Sequence, residues 1–90
     1  MNYPEKTTEN IFARRLKEAR LRAGFTQEQL GILAGLDEFS ASARMNQYER
    51  GKHLPDFYFV EKLAAVLKIP APYFYARDDA LAEWILSFDK

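Results

Sequence analysis

Ninety residues without a cysteine allow one domain with a single small core, and leave no material for a catalytic cleft between two domains, a disulfide framework or a cysteine-held zinc site. At 48% apolar and 29% charged residues, with 13 basic against 13 acidic side chains, the chain has the make-up of an ordinary globule. No apolar run nears the roughly 20 residues of a membrane span, and Met1-Asn2-Tyr3-Pro4-Glu5 lacks the basic and then apolar order of a signal peptide, so a cytoplasmic protein free of the membrane is expected.

In chain order, apolar residues recur at helical spacing and no segment alternates convincingly as a strand would. Thr8 or Asn10 is placed to cap a first helix in which Phe12, Leu16, Ala19 and Ala23 recur, and Gly24 is a natural stop. Thr26 with Gln29 three residues on opens a second helix as a capping box, and that helix runs to about Ala34. A third helix begins near Ser40 or Ser42. Its Met45 and Tyr48 face the core and leave Arg44, Asn46 and Gln47 toward solvent. After Pro55, Asp56 caps a fourth helix expected to bury Phe57, Val60, Leu63, Ala64 and Leu67, and Pro70 and Pro72 force a break beyond it. A turn at Tyr73-Phe74-Tyr75 leads to a last helix, capped by Asp78, with Leu81, Trp84, Ile85 and Phe88 on one stripe. The expected architecture is all-α, a compact bundle of five or six helices, with residues 1–90 forming a single domain.

Zero net charge conceals a polarity along the chain. Residues 11–53 hold eight basic groups against five acidic ones, a balance of +3, whereas residues 54–90 hold four against six, a balance of −2. The first ten residues contribute −1. A positive half is the footprint expected of a partner that is itself an anion.

The order Arg20, Thr26-Gln27-Glu28, Leu30-Gly31, Gly35 and Glu49-Arg50-Gly51 falls within that half. Gly31 is a small residue where a second helix can cross closely, Gly35 supplies a turn, and a polar helix ends at Gly51, as two helices meeting at a steep angle require. Over residues 11–75 the pattern resembles the repressor and Cro class of helix-turn-helix (XRE-like) regulators of bacteria and phages. That resemblance implies a phage-repressor-like bundle with its helix-turn-helix at the second and third helices. It also implies sequence-specific binding of double-stranded DNA and regulation of transcription, most simply repression by occluding a promoter.

Carried onto this chain, the resemblance makes Gln27, first in the second helix, a phosphate contact. Ser42, Ala43, Arg44, Asn46 and Gln47 fall on the face that meets base edges; Arg44 suits guanine, and Asn46 or Gln47 suits adenine, because each presents the paired groups those edges require. Arg20 and Glu49 match a structural ion pair that ties the first helix to the end of the third. Arg50 and Lys52 stand where the following loop approaches phosphate, or else are solvated surface charges, and Arg14, Arg15 and Arg22 are weaker candidates for the same contact.

One departure stands out. Gly35 and Glu49 are 14 positions apart, which makes the connection through Leu36-Asp37-Glu38-Phe39-Ser40 longer than the tight turn the resemblance implies. Phe39 is expected to fold back over the second helix, covering Ile32 and Leu33, which stand where the class commonly has polar residues.

No catalytic, metal or cofactor site is expected. His53 is the only histidine, the four glycines are dispersed rather than gathered in a phosphate-cradling loop, and Asp78-Asp79 opens a helix, where capping is the simpler use of a carboxylate pair. Leu81, Trp84, Ile85 and Phe88, within the segment 76–90, suggest a dimerisation element. A homodimer would set two reading helices roughly 34 Å apart on a near-palindromic operator. The rival role for this helix is to roof the core of its own chain, with Tyr73, Phe74 and Trp84 as filler. Two other readings stay open: the DNA-binding antitoxin of a toxin–antitoxin pair, whose aromatic C-terminal surface holds a protein partner, and a protein-interaction module that retains the fold.

Overall fold

Each helix is started by a side chain that satisfies an otherwise orphaned amide, or by the turn before it. In the computed structural model, which describes residues 10–88, α1 (Ile11–Ala23) begins where the Asn10 side chain accepts a hydrogen bond from Ala13 N at 3.1 Å. It ends at Gly24, whose φ of 82° would strain any residue with a Cβ. The other expected cap, Thr8, lies outside the described residues. α2 (Gln27–Leu33) opens with the reciprocal pair Gln29 N to Thr26 Oγ1 at 3.0 Å and Thr26 N to Gln29 Oε1 at 2.9 Å.

α3 (Ala41–Glu49) starts between the two serines proposed for it. α4 (Phe57–Leu67) and α5 (Asp79–Ser87) are capped by Asp56 and Asp78 as their sequences suggest. A 3₁₀ turn, Ala71–Tyr75, follows the break at Pro70. Five α-helices and this turn, with no strand among the described residues, make the all-α bundle.

The core gathers Phe12 and Leu16 from α1, Leu30 from α2, Met45 and Tyr48 from α3, Val60 and Leu63 from α4, Tyr73 and Phe74 from the 3₁₀ turn, and Ala82 from α5. The Phe12 and Phe74 rings, 5.2 Å apart between centroids, join the start of α1 to the turn. Two expectations about large apolar residues are corrected. Phe57 is exposed, because at the first turn of α4 its ring borders an open groove with Tyr75 and Leu81 and no element among the described residues covers it; Phe59 takes the inward role and packs 5.8 Å from the Tyr48 ring. On α5 the fully buried residue is Ala82, with Ile85 half-buried, while Leu81, Trp84 and Phe88 are exposed. Trp84 is therefore no filler of the core, although Tyr73 and Phe74 are.

Candidate nucleic-acid interface

The candidate reading unit is α2 packed across α3, and its geometry rests on one missing side chain. A Cβ added at Gly31 would stand 2.9 Å from Met45 Cγ and 3.0 Å from Ala41 Cβ, so the two helices approach more closely than an alanine there permits. With Ala41, Met45 and Tyr48 turned to the core, Ser42, Ala43, Arg44, Asn46 and Gln47 form an exposed face, as their spacing predicts. Thus the longer connection from Ala34 to Ser40 leaves the crossing of α2 and α3 intact.

Arg20 and Glu49 lock that unit to α1. The guanidinium donates to Glu49 through Nε at 2.6 Å and through Nη2 at 3.0 Å, and through Nη1 to the Phe25 carbonyl at 2.9 Å. The Glu49 side chain is only 3% exposed, so the carboxylate depends on these bonds to stand in for water. Gln27 joins the same cluster, donating from Nε2 to Glu49 Oε1 at 3.1 Å and to Asn46 Oδ1 at 3.3 Å. The residue expected at phosphate thus also steadies Asn46, one of the side chains expected at base edges.

Arg44, Arg50 and Lys52 are exposed, and among the described residues no carboxylate pairs with them. Cations of residues 11–53 thus reach solvent on α3 and its following loop, and at Lys17 on α1. Arg44, Gln47 and Tyr48 also line a shallow polar groove with His53 and Leu54.

Arg15, grouped on sequence with the weaker phosphate candidates, cannot serve there. It is 3% exposed and holds the approach to α5, donating from Nε to the Ala76 carbonyl at 2.9 Å and from Nη2 to the Arg77 carbonyl at 3.2 Å and Asp79 Oδ1 at 2.9 Å. Burial opposes its charge, but the bonds from Asp79 and Glu18 outweigh that and raise its pKa. Burial likewise pushes the Tyr73 hydroxyl above its ordinary pKa; this hydroxyl stands 3.5 Å from Glu18 Oε1. Arg22 pairs with Glu83 at 3.2 Å and Arg14 with Asp79 at 3.5 Å, both at the surface, so both lean toward α5. The single sequence signal for this grouping is Asp79, an acid whose place at a helix start already accounts for it.

Phe39 does not fold over α2. It is 91% exposed, and Ile32 and Leu33 remain exposed beside a shallow groove that they share with Phe25 and Gln29. The physical reason lies in the turn before α3: Asp37 Oδ2 accepts from Phe39 N at 3.0 Å and the Asp37 carbonyl from Ser40 N at 3.1 Å. Those bonds wind the chain straight into α3, with Phe39 outward. Among the described residues no cluster of three or more His, Cys, Asp or Glu is placed to hold a metal ion, and no helix is long and apolar enough to cross a membrane.

Comparison with known proteins bears on this unit directly. The helix-turn-helix domain family matches residues 11–72. The crystal structure of transcriptional regulator BswR is similar at 59% sequence identity and a TM-score of 0.80, over 83% of this chain and 74% of that one. No curated protein matches.

Proposed function

The chain belongs to the helix-turn-helix domain family, and from that premise we propose that it is a DNA-binding regulator of transcription whose α3 reads base edges in the major groove. The observation that carries this reading is the exposed face of Ser42, Ala43, Arg44, Asn46 and Gln47 on a helix braced by Arg20–Glu49 and by the Gly31 contact. Arg44 forks onto guanine, and Asn46 and Gln47 onto adenine. Gln27, Arg50 and Lys52 meet phosphate and set the register of the helix in the groove. The protein works as a binding domain in the cytoplasm, and it represses by covering promoter DNA. Its likeness to the transcriptional regulator BswR supports the same reading.

The dimer belongs to this proposal. Leu81, Trp84 and Phe88 leave apolar surface on α5, and Phe57 and Tyr75 extend it across a groove lined by Ala71, Pro72, Leu81 and Ile85. A second copy seated there gives a two-fold protein for a near-palindromic operator. The exposed Trp84 and Phe88 also favour an alternative, an antitoxin whose toxin occupies this surface. Sedimentation of the purified chain separates the two: a concentration-dependent dimer supports self-association, and a strict monomer moves the weight to a different protein.

Selection of bound duplexes from a random pool, followed by binding of the winner at two salt concentrations, tests the function itself. An enriched inverted repeat with steep salt dependence is expected. Arg44→Ala or Gln47→Ala then flattens preference at its own base pair by about 1–3 kcal/mol, whereas Gln27→Ala weakens all sequences alike. Uniform loss from all three would remove α3 as the reader.

A further inference from the structure

We infer that Phe39 is a further specificity-determining residue, in the turn just ahead of α3, whose ring packs on the 5-methyl group of a thymine in the major groove; this rests on the DNA-reading proposal above. The ring is 91% exposed in a turn that is well bonded, through Phe39 N to Asp37 Oδ2 at 3.0 Å and Ser40 N to the Asp37 carbonyl at 3.1 Å. Arg44 N then bonds to the Ser40 carbonyl at 2.8 Å, so α3 begins directly after this turn. The backbone that carries the exposed ring is thus held in place.

Proximity supplies the direction. Phe39 stands in the turn just before α3, three and four positions ahead of Ser42 and Ala43 and on the N-terminal side of Asn46. All three are exposed. Ser42 and Ala43 are small, so a base pair can approach α3 closely just behind the ring. In this mode of docking the N-terminal end of the reading helix meets base edges, and an aromatic residue one turn earlier is carried to the next pair along the groove.

Chemistry selects what it meets there. The thymine methyl is the one apolar group that a base presents in the major groove, and phenylalanine is among the side chains that contact it. Asp37 and Glu38 beside the ring repel phosphate, so this turn is not a backbone contact. With Asp37 engaged as the cap of the turn, Glu38 is the acid free to accept from a neighbouring cytosine amino group.

The test uses the full chain and the duplex it selects from a random pool. Each thymine is replaced in turn by deoxyuridine, which removes only the methyl group. Binding of the wild type is then compared with that of Phe39→Ala, a change at an exposed site that leaves the fold intact. At one thymine in a half-site the exchange is expected to weaken the wild type about fourfold, the worth of one buried methyl, and to leave Phe39→Ala unaffected. Methyl groups read by Ala43 instead affect both proteins alike. If every methyl that matters to the wild type matters equally to the variant, the inference is overturned while DNA reading stands, and the acid-flanked ring falls to a basic protein surface. Failure of the wild type to select any duplex would overturn both.

Discussion

Two buried arginines on α1, five positions apart, hold opposite ends of the molecule. Arg20 grips the α2–α3 unit through Glu49 and the Phe25 carbonyl, and Arg15 grips the start of the C-terminal segment through the carbonyls of Ala76 and Arg77 and the carboxylate of Asp79. One clamp closes mainly on a side chain, whereas the other divides between two main-chain carbonyls and the carboxylates of Asp79 and Glu18. A carboxylate is written in the sequence as a glutamate at a recognisable position, whereas every residue carries a carbonyl. The Arg20 clamp is therefore foreseeable once the chain is set beside the class it resembles, while Arg15 has the outward signs of a spare surface cation.

Arg20→Ala is expected to have the largest effect, lowering stability by about 3–5 kcal/mol because Glu49 stays buried without its partner. Denaturant unfolding measures it. Replacing the pair together, Arg20→Met with Glu49→Leu, is expected to recover most of that loss, which would show that the isolated charge does the damage. Arg15→Ala follows, at about 2–3 kcal/mol, through carbonyls left without a donor. Its amide exchange should rise first in α5, whereas Arg20→Ala loosens α2 and α3. The reverse pattern would break the division between the clamps.

Arg22→Ala sharpens the comparison from the side of exposure. Its pair with Glu83 is made on the same helix but in solvent, so a change below about 0.5 kcal/mol is expected in the same titration. A loss approaching that of Arg15 would mean that burial is not what separates these arginines. Smallest of all, Phe39→Ser should leave the melting temperature within error, since the ring packs on nothing that its removal would expose.

The elements most legible in the sequence are those set by local chemistry. Thr26 and Gln29 make the capping box their spacing describes, Asp56 and Asp78 cap their helices, and Gly31 marks the close crossing. Arg20 and Glu49 become legible through resemblance to a known class. Size and apolarity are poorer guides. Phe57 and Phe39 lie outside and Ala82 inside, because burial follows position relative to a neighbouring element and a close approach favours a small residue. Phe39 escapes a reading by hydrophobicity because Asp37 directs the turn, and an Asx turn competes with hydrophobic cover over the same few residues.

The Arg15 clamp has an evolutionary consequence. Since two of its bonds fall on main-chain oxygens, the sequence around Arg77 can drift without unfastening the segment it anchors. Descendants of this chain are free to rewrite the outer face of the last helix while the half that packs α2 across α3 keeps its shape.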